Sequence, residues 1–191
     1  MSSFFSLLFR QKLIRRWGLM RSSQPENLAE HASEVAAITH ALALIGNREL
    51  GKNYDPGKAA LLGLYHDAPE VFTGDLPTPV KYFSPEMRES YAKIEKNAVC
   101  RLLNALPAEY RDDYAGLLDP DDCPELRLVK AADKLRALIK CIEEAKSGNR
   151  EFASAEKSLR GILAEMDCPE ADIFAERCLP AFSLTLDEQH C

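Results

Sequence analysis

The 191-residue sequence lacks an apolar run long enough to cross a bilayer. The apolar stretch at residues 4–9 is short, its positive charges follow rather than precede it, and no small-residue cleavage site comes after it. These absences argue against a membrane span and a secretory signal, so we predict a cytoplasmic protein with no membrane partner. An organelle transit peptide is the alternative, because the first residues contain Ser and Arg and no acid.

The six cysteines include no C-x-x-C pair and no partner histidine at zinc-finger spacing. This absence disfavours a structural zinc site. Free thiols in a reducing compartment are the favoured interpretation, and disulfides are the alternative.

An excess of positive charge is also missing, since the net charge is −6 at pH 7. This excludes a broad electrostatic contact with nucleic acid, so we predict no nucleic-acid polymer as a partner. The charge is uneven, because residues 1–25 contain five basic residues and no acid, and residues 26–191 carry the remaining −11. A local basic pocket in an acidic protein favours a small anionic ligand.

Strand-like alternation, internal repeats and low-complexity segments are absent, whereas apolar residues recur at helical spacing almost throughout. The length suits one core better than two. We therefore predict an all-α fold in which residues 1–191 form a single helical domain, with a stiff non-helical loop at residues 73–79. The predicted helices cover about residues 4–15, 27–45, 55–67, 84–106, 107–118, 124–145, 151–166 and 169–179.

Asn27 and Glu30 have the spacing of an N-cap and its reciprocal glutamate at the start of the second predicted helix. On this helix His31 shares a stripe with apolar residues such as Val35 and Leu42, so His31 is predicted to point inward. Gly46 is the predicted stop. A core histidine without a metal is the competing interpretation of His31.

The adjacent pair His66-Asp67 closes the third predicted helix. Imidazole nitrogen with carboxylate oxygen suits a mid-to-late first-row divalent metal better than calcium or a structural zinc. Two ligands cannot hold such an ion, so His31 and Asp133 are the further candidates. A surface ion pair with neighbouring lysines is the alternative for Asp133. Glu70 adds an ionisable group one turn on, with an exposed charge as its alternative.

This order of ligands, a helical His, then His-Asp, then a distant Asp, resembles the HD-domain metal-dependent phosphohydrolases. The likeness narrows to the bacterial 5′-deoxynucleotidases and runs from about Phe4 to Glu188. One departure is Ala32, where family members carry a serine. The motifs that carry the likeness are Arg16-Trp17, Glu26-Asn27 with Glu30-His31, His66-Asp67-Ala68-Pro69-Glu70, the loop Thr73 to Tyr82, and Pro180-Ala181-Phe182 with Leu186-Asp187-Glu188.

The resemblance implies a single HD domain that removes the 5′-phosphate from deoxyribonucleoside monophosphates (dNMPs), with one divalent transition metal and a homodimeric assembly. Co²⁺ is the metal expected in assays, and Mn²⁺ is the alternative. The implied metal ligands are His31, His66, Asp67 and Asp133. The implied catalytic residues are Glu70, Arg16 and Trp17. The implied substrate-binding residues are Arg16, Trp17, His31, Asp75, Leu76, Pro77, Thr78 and Asp133.

Two other functions stay open at this stage. An HD phosphohydrolase acting on a dNTP or a signalling nucleotide would need several basic groups, whereas the sequence offers Arg16 with Lys81 as a helper. A metal- or nucleotide-binding regulator without turnover would lack groups such as Glu70. The residues do not fix the base preference, the deoxyribose preference or whether Glu70 acts as acid or base.

Overall fold

A computed structural model describes residues 1–81 and 83–189, except for the side chain of Thr78. Within these residues the regular structure is helical, apart from an isolated β-bridge between Arg15 and Asn27. The all-α prediction is therefore confirmed. The α-helices are α1 (Phe4–Leu8), α2 (Leu28–Glu49), α3 (Pro56–Tyr65), α4 (Glu70–Thr73), α5 (Thr78–Lys81), α6 (Pro85–Ala105), α7 (Arg111–Leu118), α8 (Pro124–Lys146), α9 (Ala153–Glu165) and α10 (Pro169–Cys178).

Short 3-10 segments continue several of these helices. The predicted first helix over 4–15 is wrong in its second half, because α1 ends at Leu8 and the chain tightens into a 3-10 turn before it becomes extended at Ile14. The 3-10 segments are Phe9–Leu13, Ala108–Tyr110, Arg150–Phe152, Leu179–Ser183 and Leu186–Glu188.

The start of α2 follows the predicted capping box. The Asn27 side chain accepts hydrogen bonds from the amides of Ala29 and Glu30, each at 3.0 Å, and Glu30 accepts from the Asn27 amide at 3.1 Å. The predicted stop at Gly46 is wrong, since the helix continues to Glu49. Gly46 instead makes room for a ring, because a Cβ there would lie 2.5 Å from Tyr54 Cε2.

The segment predicted as a non-helical loop at residues 73–79 contains parts of two short helices, α4 and α5. Proline at the start of a turn favours helical backbone, which explains why Pro77 and Pro79 do not prevent α5. The chain between them turns at Gly74, whose φ of +73° lies in the left-handed region that glycine tolerates. Tyr82, the last residue of the predicted motif, lies outside the described residues.

The largest apolar core packs α2 against α8, α9 and α10 through fully buried side chains such as Leu42, Leu128, Leu135 and Phe152. A second core joins α1 to the end of α3 and to α6. Helix α2 also packs along α3, so α2, α3 and α8 contact one another. No described helix is both long and apolar enough to cross a bilayer. That residues 1–191 form a single domain stays a prediction.

Close approach of α2 and α3 depends on Gly63. A Cβ at this position would lie 2.9 Å from Thr39 Oγ1, closer than real Cβ contacts, and 3.0 Å from the Ala36 Cα, tighter than most of them. Because Gly63 is one turn before His66, this contact holds the end of α3 against α2 at Ala36 and Thr39. The approach therefore brings the His66 side chain towards the helix that carries His31.

The segment after Trp17 is tied to α8 by a buried carboxylate. Glu144, 1% exposed, accepts hydrogen bonds from the Ser23 amide at 2.8 Å and from Asn149 Nδ2 at 2.7 Å, and it also pairs with Lys140. Although burial opposes ionisation, these hydrogen bonds lower the pKa of Glu144 to about 2. The charged carboxylate therefore stabilises the folded state.

We predict that Glu144→Gln lowers the free energy of unfolding at pH 7 by about 3 kcal/mol. This value follows from the shift of the Glu144 pKa from 4.5 to about 2 on folding. A carboxyl group whose pKa is lower in the folded state stabilises that state at pH values above its pKa in the unfolded chain. This stabilisation is lost as the pH falls from about 4.5 towards 2. The difference between wild type and variant should therefore shrink over that range. Urea unfolding of metal-free protein at pH 7, 4 and 3 measures it.

The exposed Glu151 gives the matched control, and Glu151→Gln should change stability little at any pH. A wild-type advantage over Glu144→Gln that stays constant down to pH 3 would contradict the assignment.

Candidate metal centre

His31 lies in the first turns of α2 and is completely buried. Its Nε2 lies 3.2 Å from Asp133 Oδ1 and 3.6 Å from Asp67 Oδ2. The capping box starts α2 a turn earlier and so fixes where the ring enters the core. The neighbouring Ala32 is 1% exposed and has no polar side-chain atom to bond there. His31 therefore points inward, as predicted.

His66 follows the last residue of α3 and turns its Nε2 to within 3.1 Å of Asp67 Oδ2. Its other ring nitrogen, Nδ1, lies 2.7 Å from the carbonyl oxygen of Gly63. A carbonyl can only accept, so Nδ1 carries the proton and donates it. When the ring loses its second proton, this tautomer leaves the Nε2 lone pair directed at the carboxylates, which is the form that can bind a metal.

Asp133 lies on α8 and uses its two carboxylate oxygens differently. Oδ2 accepts a hydrogen bond from Lys134 at 2.8 Å, whereas Oδ1 faces His31. The lysine pair that was the alternative interpretation is therefore present together with the inward contact. Ligand atoms of His31, His66 and Asp133 all lie within 4.8 Å of one another.

The spacing of these donor atoms suits a single cation. Two atoms bound to one ion at about 2.1 Å lie about 3.0 Å apart in octahedral and about 3.4 Å apart in tetrahedral geometry. The nitrogen–oxygen distances of 3.1–3.6 Å fall close to this range. Among the described residues, the Nε2 atoms of His31 and His66 are buried without a hydrogen-bond partner. Orphaned nitrogens beside two carboxylates fit a transition metal.

The electrostatics of the cluster follow from burial and proximity. Burial lowers the pKa of His31. Burial acts the same way on His66, but Asp67 and Asp133 outweigh it and raise the pKa of His66 to about 9. Although burial opposes ionisation of Asp133, His31 and Lys134 hold its pKa well below the usual range. Although burial also opposes ionisation of Asp67, the neighbouring His66 outweighs it and lowers the pKa of Asp67 too. Both carboxyl groups therefore favour the anionic form that metal ligands need.

Arg16 approaches the cluster from the extended segment after the first 3-10 turn. Its amide donates to the Glu26 carbonyl at 3.0 Å, which fixes its backbone. Nε donates to Glu26 Oε1 at 2.8 Å, and the terminal nitrogens lie 3.6 Å from Asp67 and 4.0 Å from Asp133. The two terminal nitrogens are therefore directed at the carboxylate cluster.

Trp17 lies beside Arg16 with a φ of +58°, a left-handed conformation that costs a bulky residue about 1–2 kcal/mol. Its ring packs edge-on against Phe152 with centroids 5.2 Å apart. The indole Nε1 is buried without a partner in the described part of the chain. The Trp17 side chain is thus half-buried against the main core, and its backbone is strained.

Glu70 begins α4 and has a side chain that is 6% exposed. Its Oε1 lies 3.4 Å from Lys81 Nζ, whereas Oε2 is buried with no hydrogen-bond partner among the described residues. Burial and the Asp67 carboxylate raise the pKa of Glu70 to about 8, although Lys81 and Arg16 oppose the rise. The predicted alternative of an exposed charge is wrong.

The loop predicted to bind substrate lies near the same charges. Asp75 is close enough that its charge acts on both Arg16 and Glu70. Asp75, Leu76 and Pro77 are half-buried. The side chain of Thr78 lies outside the described residues.

Two buried charged residues of the site are not among the predicted site residues, although Glu26 belongs to one of the motifs that carry the family resemblance. Glu26 is 5% exposed and lies between Arg16 and His31, and Arg136 is 7% exposed on α8. Glu26 precedes the N-cap of α2, outside any periodic segment, so no helical stripe marks it. Arg136 lies one turn after Asp133, and its burial depends on α2 packing against α8.

A family model described as 5′-deoxynucleotidase YfbR-like matches residues 3–182 of the chain. Curated 5′-deoxynucleotidases from Vibrio parahaemolyticus and Vibrio cholerae are each 49% identical, over 98% of this chain and 97% of their own length. A relative from Yersinia pseudotuberculosis with the same description is 48% identical over 98% of this chain and 96% of its own.

Solved structures share the fold. An HD-domain phosphohydrolase from Listeria innocua superposes with a TM-score of 0.80 at 25% identity, covering 98% of this chain and 90% of that one. A cyanophage S-2L HD phosphohydrolase, bound to dA and one catalytic Zn²⁺, has a TM-score of 0.66 at 22% identity, covering 92% and 95%. The latter likeness concerns the fold. With the family match over nearly its whole length, the chain belongs to the YfbR-like 5′-deoxynucleotidase family.

Proposed function

We propose that the chain is a metal-dependent 5′-deoxynucleotidase, which hydrolyses dNMPs to deoxyribonucleosides and inorganic phosphate. The observation that carries the proposal is the cluster of two orphaned imidazole nitrogens and two carboxylates facing the Arg16 guanidinium. Relatives with the same described activity match over 98% of the chain, which supports the substrate class.

His31, His66, Asp67 and Asp133 would hold one divalent transition metal. When bound, such an ion supplies Lewis-acid stabilisation of phosphoryl oxygens and lowers the pKa of a bound water. The mixed nitrogen and oxygen donor set favours Co²⁺ or Mn²⁺ over Ca²⁺. We propose Co²⁺ as the ion that supports activity in assays, with Mn²⁺ as the alternative.

Arg16 would bind the substrate phosphate. A guanidinium presents paired N–H donors that match phosphate oxygens, and its two terminal nitrogens are the ones directed at the cluster. Trp17, held against Phe152, would form the adjacent wall and offer its unpartnered indole N–H. A phosphate bound between Arg16 and the cluster would have its scissile P–O bond next to the metal ligands.

Glu70 would transfer a proton during hydrolysis, either from the attacking water or to the leaving 5′-oxygen. Its Oε2 is buried and lacks a partner in the described chain, while its other oxygen is near Lys81. A carboxyl group in this setting is free to bond to water or to substrate. The nucleoside would lie along Asp75, Leu76, Pro77 and Thr78, with Asp75 accepting from a sugar hydroxyl.

The cations near the cluster favour a single phosphoryl group. Lys134 pairs with Asp133 at 2.8 Å, and Lys81 lies between Glu70 and Glu95 at 3.4 and 3.3 Å. The terminal nitrogens of Arg16 face the cluster at 3.6 Å from Asp67 and 4.0 Å from Asp133, so they are available to a phosphate. This arrangement supports a monophosphate rather than a triphosphate substrate. A homodimer and the lack of a nucleic-acid partner stay predictions.

Phosphate release from a panel of nucleotides tests the proposed function. We expect hydrolysis of dNMPs with added Co²⁺ or Mn²⁺, no release from dNTPs, and loss of activity in a chelator. Mg²⁺, Zn²⁺ and ribonucleoside monophosphates complete the panel. Release from dNTPs with none from dNMPs would contradict the proposal, and metal-independent release would contradict the proposed role of the cluster.

Asp133→Ala should reduce the metal content of purified protein, because it removes one of two carboxylates from the cluster. We expect a metal-to-protein ratio well below that of wild type after equal loading with Co²⁺, measured by elemental analysis. Asp113→Ala, at an exposed position on α7, is the matched control and should load like wild type. Full loading of the Asp133 variant would exclude this residue as a ligand.

Glu70→Gln should lower kcat by about 10²–10⁴-fold while the protein still loads metal, because an amide keeps the shape but cannot transfer the proton. Steady-state kinetics on a dNMP at saturating metal measure the effect. Glu95→Gln is the matched control, since Glu95 is the other carboxylate beside Lys81. Equal kcat values for the two variants would remove Glu70 from proton transfer.

A further inference from the structure

Glu26 occupies a buried position between the two functional halves of the site. Oε1 accepts the hydrogen bond from Arg16 Nε at 2.8 Å and lies 3.6 Å from His31 Nδ1. The Glu26 side chain is 4% exposed and the His31 side chain is fully buried. One carboxylate oxygen therefore faces both the proposed phosphate-binding arginine and a proposed metal ligand.

The contact with Arg16 selects which guanidinium edge faces the cluster. Glu26 takes the Nε–H, so the two terminal nitrogens are left on the side of Asp67 and Asp133. Rotation of the guanidinium away from this orientation would break the 2.8 Å hydrogen bond inside a buried site, which is costly. Glu26 thus fixes the orientation in which Arg16 can meet a phosphate.

The position next to His31 has a separate consequence. Since His31 Nε2 is directed at Asp67 and Asp133, Nδ1 is the ring nitrogen left to carry a proton. A carboxylate on the Nδ1 side favours that tautomer and makes Nε2 a better ligand. His66 reaches the same state through the Gly63 carbonyl. The two imidazoles therefore face different oxygens, His66 through a hydrogen bond to a carbonyl and His31 across 3.6 Å from the Glu26 carboxylate.

Glu26 is itself held by Arg136. The Arg136 side chain is 8% exposed, and its NH2 lies 3.4 Å from Glu26 Oε2. Its Nε pairs with Glu34 on α2, and its NH1 lies 3.6 Å from Glu143 on α8. Because Arg136 pairs with acids from α2, α8 and the segment before α2, it places Glu26 relative to both helices that carry His31 and Asp133.

We propose that Glu26, held by Arg136, is a positioning residue that aligns Arg16 for phosphate and His31 for the metal. This inference rests on the proposed function for the role of Arg16, but the part that concerns His31 does not depend on the substrate. Glu26 contacts no reacting atom and acts through its two neighbours.

The first test is metal affinity, measured by competition with a chromogenic chelator for Co²⁺. Glu26→Gln should weaken affinity about 10- to 100-fold, the usual effect of losing an outer-shell partner of a ligand histidine. Glu34→Gln is the matched control, because it removes an exposed carboxylate from the same Arg136 without touching Arg16 or His31. Its affinity should equal that of wild type. Equal affinities for all three proteins would overturn the His31 part.

The second test is a double-mutant cycle on a dNMP at saturating Co²⁺. If Glu26 acts through Arg16, Glu26→Gln should lower kcat/KM in wild type but change it little in an Arg16→Ala background. Independent effects that multiply would overturn the Arg16 part. Folding of each variant is checked by circular dichroism.

Glu26→Asp keeps the charge and covers the case in which Glu26→Gln does not fold. Its metal affinity should lie between that of wild type and that of Glu26→Gln. A metal affinity of the Asp variant equal to that of Glu34→Gln, together with a wild-type kcat/KM, would overturn the proposal. If wild type released no phosphate from any dNMP while Glu26→Gln and Glu26→Asp still bound Co²⁺ more weakly, the proposed function would fail and the His31 alignment would stand.

Discussion

The site is constrained by the repulsion among four carboxyl groups, of which Glu26 and Glu70 are nearly fully buried and Asp67 and Asp133 are partly buried. Asp67, Asp133, Glu26 and Glu70 lie around one small volume, and two of them have side chains that are 4–6% exposed. Two such charges about 4 Å apart repel by about 4 kcal/mol at the effective dielectric of a protein. A cluster of this kind is tolerated only with cations or protons among the oxygens. Arg16 supplies one positive charge, and the donor spacing leaves a place for another.

The helices bring these groups together because each donor lies near the end of an element or on a face that must be buried. Helix α2 starts at a capping box, so His31 enters the core within its first turn. Helix α3 ends at Tyr65, and Gly63 lets its last turn press against α2. Asp133 is carried on α8, which contacts both. Packing of these three helices buries apolar surface, and that burial offsets the cost of the charges between them.

Much of this could be predicted from periodicity and capping. The stripe on α2 placed His31 inward, and the Asn27–Glu30 spacing placed the start of the helix. What periodicity could not supply is the environment of groups outside helices. Glu26 precedes an N-cap, and its burial follows from a tertiary contact with Arg136 on α8. Gly46 is predicted as a stop because glycine often ends helices, whereas the lack of a Cβ accommodates the Tyr54 ring inside the last turn of α2.

Arg16 poses a particular difficulty, because a cation that bound Asp67 and Asp133 tightly would compete with a metal for the same oxygens. The distances show how the fold resolves the competition. Arg16 is 2.8 Å from Glu26 but 3.6 and 4.0 Å from the two aspartates, so its strongest partner is a carboxylate outside the proposed ligand set. The segment that carries it is fixed at both ends, by the backbone pairing of Arg16 with Glu26 and by the hydrogen bonds to Glu144. Arg16 can therefore stay close enough to meet a phosphate and far enough to leave the aspartate oxygens free.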